Sequence, residues 1–186
     1  SSSGVNGNAN ALDPTNYGNA GAVYVFERSG MGGWGQTTYL KSSYPAAGDN
    51  FGLSVGIAGT VIVVGAQGED SNSTASNPDP SIDGLDSSGG AFVFTRPTVA
   101  STTWSLTGFL KAPNPGIGDN FGGSVRIDGD LLLLTASFED GSGRGVNPAS
   151  DEAATDSGAM YLFRRSGNTF VLHSYLKPSN TDPGDS

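Results

Sequence analysis

The chain has no cysteine and a single histidine among its 186 residues. Without thiols there is no disulfide framework, no zinc–cysteine site and no thiol nucleophile. Basic residues are scarce and dispersed. Nine Lys and Arg stand against 18 Asp and Glu, for a formal net charge of −9. Nucleic acid is therefore not an expected partner, because the concentrated positive patch it requires is missing. The acidic surplus favours solubility and attracts divalent cations. No apolar run approaches bilayer length, so no membrane insertion is expected in this segment. The N-terminus lacks the basic and apolar regions of a signal peptide. No stretch sustains helical periodicity, which leaves little room for helix. What is abundant is glycine, 29 residues, alongside 10 prolines. That mixture suits short strands joined by turns.

The chain repeats itself. Gly48-Asp49-Asn50-Phe51-Gly52 returns 70 residues later as Gly118-Asp119-Asn120-Phe121-Gly122. Each copy is followed in the same order by a small-residue strand, an apolar run (Val61 to Val64, Leu131 to Leu134) and an acidic pair (Glu69-Asp70, Glu139-Asp140). A long polar loop comes next, then Gly90-Ala91-Phe92-Val93-Phe94 or Gly158 to Phe163, and finally Leu110-Lys111 or Leu176-Lys177. Gly21 to Phe26, Trp34 and Leu40-Lys41 are the second half of the same unit. A period of this size marks a repeat architecture.

Each unit reads as four strands. In the middle copy these are Phe51 to Ile57, Val61 to Ala66, Gly90 to Thr95 and Trp104 to Lys111. In the last they are Phe121 to Ile127, Leu131 to Ala136, Gly158 to Arg164 and Phe170 to Lys177; the first unit keeps Gly21 to Glu27 and Trp34 to Lys41. The second strand of a unit is apolar on both faces, as expected of a strand buried between neighbouring sheets. Four antiparallel strands per unit is the pattern of a β-propeller blade. The expected fold is all-β, a propeller fragment of about two and two-thirds blades. Its expected divisions are 1–47 (a second half-blade), 48–117 and 118–186 (complete blades, the last running into the next). Pro183-Gly184-Asp185-Ser186 reads as the opening of a further unit, so the remaining blades of the propeller are expected partners. Phe51 and Phe121 are expected to plug the gaps between blades.

These residues resemble the FG-GAP repeat, the blade unit of integrin α-chain propellers and of many bacterial surface and secreted proteins. Phe51-Gly52 and Phe121-Gly122 match its Phe-Gly element, and Val64-Gly65-Ala66 its Gly-Ala-Pro element with Gln67 for proline. Thr135-Ala136-Ser137 is a degenerate copy. The bacterial subtype is closest, through Gly4-Val5-Asn6, Gly145-Val146-Asn147, Trp34 and Tyr39-Leu40-Lys41. The resemblance implies an extracellular or cell-surface propeller used for adhesion or ligand binding, usually without catalysis. Integrin blades often bind calcium between their first two strands. Here that connection is only Ala58-Gly59-Thr60 or Asp128-Gly129-Asp130, too tight to wrap an ion that wants six to eight oxygens, so that site is not expected.

Other positions are candidates for chemistry. Glu69, Asp70, Glu139 and Asp140 sit where the second strand enters the long loop, and read as metal ligands with calcium as the candidate ion. On a plainer reading the aspartates cap loop N–H groups while the glutamates face water. Asp49-Asn50 and Asp119-Asn120 read as Asx turns. His173 lies on a strand with no nucleophile elbow anywhere in the chain, so no catalytic residue is expected. Trp34, Trp104 and Phe170 hold equivalent places and read as outer-strand packing.

The leading expectation is a non-enzymatic extracellular module that binds protein or glycan through long loops clustered on one rim. Deleting Ser71 to Ser87 is expected to spare the fold. The alternatives are a metal-assisted hydrolase on a propeller, and a structural spacer of a large surface protein.

Overall fold

A computed structural model of the chain describes residues 18–75 and 78–185. Gly4-Val5-Asn6 falls outside the described residues. The described chain is all-β, with no helix: β1 Val23–Arg28, β2 Trp34–Leu40, β3 Ser54–Ala58, β4 Val61–Ala66, β5 Gly90–Thr95, β6 Ser105–Leu110, β7 Phe121–Asp128, β8 Leu131–Ala136, β9 Gly145–Val146, β10 Ala159–Ser166 and β11 Thr169–Lys177. The three sheets are β1-β2, then β3-β4-β5-β6, then β7-β8-β10-β11-β9. Within each, strands that follow one another in the chain pair antiparallel, with β8 passing to β10 across the loop that holds β9.

The sheets stack as propeller blades. Alternation along β4 and β5 shows why both strands are apolar throughout. Val61, Val63, Ala91 and Val93 pack with Phe121, Val125, Leu132 and Leu134 of the third sheet. Their alternate neighbours Ile62, Val64, Phe92 and Phe94 pack with Val25 and Leu40 of the first. A strand with a sheet on each side has no face left for polar residues. Terminal faces behave oppositely. Val125 faces the middle blade and is 1% exposed, whereas the equivalent Val55 is 43% exposed. Val55, Leu53 and Ile57 look toward a first unit whose described strands are only β1 and β2. Leu131 and Met160 likewise open outward from the third blade.

The Phe-Gly elements stitch neighbours together. β3 begins at Ser54, later than the sequence suggests, and Phe51 stands ahead of it. Phe51 forms a parallel bridge with Gly21 of the preceding sheet, and Phe121 does the same with Gly89. A Cβ on Gly21 or Gly89 would overlap the phenylalanine backbone. The Phe51 ring packs edge-on against Phe92 and Phe94 (centroids 5.5 and 6.2 Å), and the Phe121 ring against Tyr161 and Phe163 (5.3 and 6.2 Å). Both rings belong to clusters that span two sheets, so they fill the seam as expected. Gly52 and Gly122 take positive φ, 95° and 87°. The Gly122 carbonyl accepts the Ser54 hydroxyl (2.6 Å) and lies against Gly65, where any side chain would collide with it. Ala66 beside it is fully buried.

One strand was not anticipated. Gly145-Val146 leaves the long loop of the third blade and adds to the outer edge of β11, opposite Lys177 and Leu176. Asn147 holds it there. Its N–H donates to the Tyr175 carbonyl (2.7 Å) and its side-chain Oδ1 accepts the Tyr175 N–H (2.8 Å).

Candidate functional site

Beneath each long loop lies a buried charge. Lys111, just past β6, turns its ammonium inward to Glu69 Oε2 (3.3 Å), Ser88 Oγ (2.7 Å) and the Gly89 carbonyl. Lys177, at the end of β11, meets Glu139 Oε2 and Ser157 Oγ, both at 2.6 Å. All four charged side chains are 3% exposed or less. Each serine passes the network into its loop, Ser88 donating to the Ser71 carbonyl (2.9 Å) and Ser157 to the Gly141 carbonyl (2.8 Å). In the first unit Lys41 reaches the Gly21 carbonyl (2.6 Å) in the same way. Burial pushes the Glu69 carboxyl up and the Lys111 ammonium down, each opposed by the other's charge.

The glutamates therefore do not face water. They are covered because the lysine closing each blade needs a counter-charge inside it. The aspartates beside them do cap the loops. Asp70 accepts the Ser87 N–H on Oδ1 (2.7 Å) and the Gly84 and Leu85 N–H groups on its carbonyl. Asp140 accepts the Asp156 N–H on Oδ1 (2.8 Å) and the Ala154 N–H on its carbonyl. Among the described residues no three or more His, Cys, Asp or Glu side chains gather as a set that could hold a metal ion. Calcium requires six to eight oxygens. Glu69, Asp70, Glu139 and Asp140, committed to lysines and loop N–H groups, do not fit it.

Glu139 is bonded more heavily than Glu69. Besides Lys177 it accepts from Tyr175 Oη (2.6 Å), Asn114 Nδ2 (2.7 Å) and the Gly141 N–H (3.1 Å). The Tyr161 hydroxyl, in turn, donates to Asn114 Oδ1 (3.1 Å).

The Gly-Asp turns sit beside these networks. Asp49 and Asp119 are each 1% exposed and accept an N–H from three residues behind, Ala46 and Gly116, both at 2.7 Å. They fix the turn into the blade from its near side, rather than aiming the following strand from ahead. Asn50 and Asn120 supply the left-handed residue, φ 55° and 57°. Burial pushes Asp49 up to about 6 and Asp119 up to about 7, and Asp119 Oδ1 has no hydrogen-bond partner. The same turn appears a third time at 182–185. Asp185 accepts the Asp182 N–H (3.0 Å), and Gly184 donates to Thr155 as Gly118 does to Asp86 and Gly48 to Gly18.

The loops 67–89 and 137–158 and the linkers 41–53 and 111–120 all emerge at one end of the sheets. On that rim Tyr44, Ile82, Ile117 and Phe138 stand exposed. The roots of the loops are the opposite: Ser71, Ser88 and Ser157 are buried. Deleting Ser71 to Ser87 would remove the Ser71 carbonyl that orients Ser88 and the N–H that Asp70 caps, so the loop is part of the blade.

Residues 34–94 match the family model of the FG-GAP repeat. This chain carries an FG-GAP repeat. FG-GAP repeats form β-propeller blades, are generally non-enzymatic and typically occur in extracellular proteins. A search for relatives among curated proteins returned no match. The matched stretch runs from β2 to β5, across the seam where Phe51 bridges to Gly21. His173 is exposed, its Nδ1 beside Ser174 Oγ (2.9 Å). Trp104 and Phe170 are buried against the preceding blade as expected, while Trp34, on the first unit, is 72% exposed.

Sequence reasoning missed Lys111, Lys177, Ser88 and Ser157 as partners of the glutamates. The signal was present. In a chain with nine basic residues, three close a blade as Leu-Lys. A lysine at a fixed place after an apolar strand requires a fixed acid.

Proposed function

We propose that this chain is part of a larger FG-GAP propeller that acts outside the cell as a non-enzymatic adhesion module, holding a protein partner on its loop rim. The carrying observation is the exposure of Tyr44, Ile82, Ile117 and Phe138 at the one end where loops and linkers converge. Aromatic side chains are frequent anchors of protein interfaces, with apolar neighbours excluding water around them. Ile82 and Phe138 stand on loops rooted by buried Glu–Lys–Ser sets, which supports their being presented at fixed positions. Catalysis finds no support in the site, since both glutamates are sealed from solvent by lysine. No helix among the described residues is long and apolar enough to cross a membrane.

The test is retention on a panel of immobilised extracellular-matrix proteins and on a glycan array. Retention on a matrix protein should fall at least tenfold when Tyr44, Ile82 and Phe138 are changed to Ser, with the circular dichroism spectrum unchanged. Retention that survives these changes, or that appears only on glycans, would overturn the reading.

A further inference from the structure

The two complete blades share the buried Glu–Lys–Ser set but differ around it. In the middle blade, Phe92 and Phe109 pair across β5 and β6 beside Glu69 and Lys111. In the third blade the equivalent cross-strand pair is Tyr161 and Tyr175. The linker ahead of the third blade carries Asn114 five residues before Asp119, where the previous linker has Tyr44 before Asp49. The three changes converge on one carboxylate. Glu139 takes Lys177 Nζ on one oxygen, and Asn114 Nδ2 and Tyr175 Oη on the other, while Tyr161 Oη donates to the Asn114 carbonyl oxygen. The middle blade shows that the ion pair closes a blade without an amide or a phenol. The additions in the third blade therefore need another account.

We propose that the third blade is the site of a self-formed amide cross-link between Lys177 and Asn114, with Glu139 as the proton carrier. An amine and a bridging carboxylate, both buried, a half-buried carboxamide and a donor on its carbonyl oxygen are the components of a transamidation. Glu139 takes a proton from the Lys177 ammonium. The freed Nζ lone pair attacks Asn114 Cγ and forms the new C–N bond, while Tyr161 O–H stabilises the charge gathering on Oδ1. Glu139 returns its proton to the Asn114 nitrogen, the old C–N bond breaks and ammonia leaves. The second proton of the attacking nitrogen passes to Glu139 and departs with ammonia as ammonium. No oxidant or co-reactant is required. The product would close the chain covalently from the linker at Asn114 to the end of β11, in a protein with no cysteine to do so.

Intact-mass measurement of the native chain tests this. The expected mass is one ammonia below that of the sequence, with a branched peptide joining the stretch around Asn114 to that around Lys177. Asn114→Ala keeps the Glu139–Lys177 pair and should fold, run at its full sequence mass and lose the branched peptide. Glu139→Gln should also run at full mass, and Lys111 should appear only in linear peptides. A native chain at full sequence mass overturns the proposal. So does an ammonia deficit that persists in Asn114→Ala, or one accompanied by Lys177 in a linear peptide.

Discussion

A single buried carboxylate carries a pH dependence of its own. Asp119 is pushed up to about 7 from 3.8 by burial. A carboxyl whose folded pKa is raised binds its proton more tightly when folded, so its ionisation destabilises the fold. The penalty grows as pH rises from about 4 to about 7 and is constant above that. Asp119→Asn keeps the acceptor for the Gly116 N–H without the charge. Its unfolding midpoint in urea should exceed that of the parent more at pH 8 than at pH 5. A gain that is larger at pH 5 would contradict the burial argument. The Phe121 ring makes a different residue-scale case. Its removal by Phe121→Ala opens the seam between blades and should cost about 3–5 kcal/mol in equilibrium unfolding.

At the scale of elements, the Lys111–Glu69 pair ties β6 to the loop after β4. Breaking it on one side leaves a buried unpaired charge, so Lys111→Met should cost about 3–5 kcal/mol. Replacing both partners, with Glu69→Leu added, should recover most of that loss. A double variant no more stable than the single one would show that Ser88 and Gly89 need the ammonium itself. Much at this scale was legible in the sequence. β4 is legible at Val61–Ala66 because a strand covered on both faces reads as an unbroken apolar run. The starts of β3 and β6 differ from the pattern: β3 opens only at Ser54, after Phe51, and Trp104 lies just outside its strand. β9 escaped because two residues carry no periodicity; only the Gly-Val-Asn motif marked the place. The site was half legible. The acidic pairs were found, but their meaning depends on lysines 42 and 38 residues further on, a pairing that strand patterns do not show.

For the whole molecule, the order of stacking is visible in what is buried and what is not. β4 and β5 of the middle blade are covered on both sides, while Leu53, Val55 and Ile57 at β3 and Leu131 and Met160 of the third blade remain open. Val55→Thr and Leu131→Thr should therefore reduce association of this chain in light scattering while leaving its melting temperature nearly unchanged. A large fall in melting temperature would mean that these side chains already pack within the chain. Melts with millimolar calcium and with a chelator should superimpose, since the acidic pairs are committed elsewhere. A rise of several degrees in calcium would reveal a bound ion. The turn at 182–185 copies those at 46–49 and 116–119, so the geometry for seating another unit is in place.

The bridges from Gly21 to Phe51 and from Gly89 to Phe121 have a mechanical consequence. The chain finishes one leaf, hooks its next residues back onto that leaf, and only then begins the new one. Tension on the polypeptide consequently meets these hooks before it reaches the interior of either leaf. A leaf cannot be stripped away without first unfastening the opening residues of its successor. During synthesis the order is reversed: each finished leaf offers the anchorage on which the following one starts to grow.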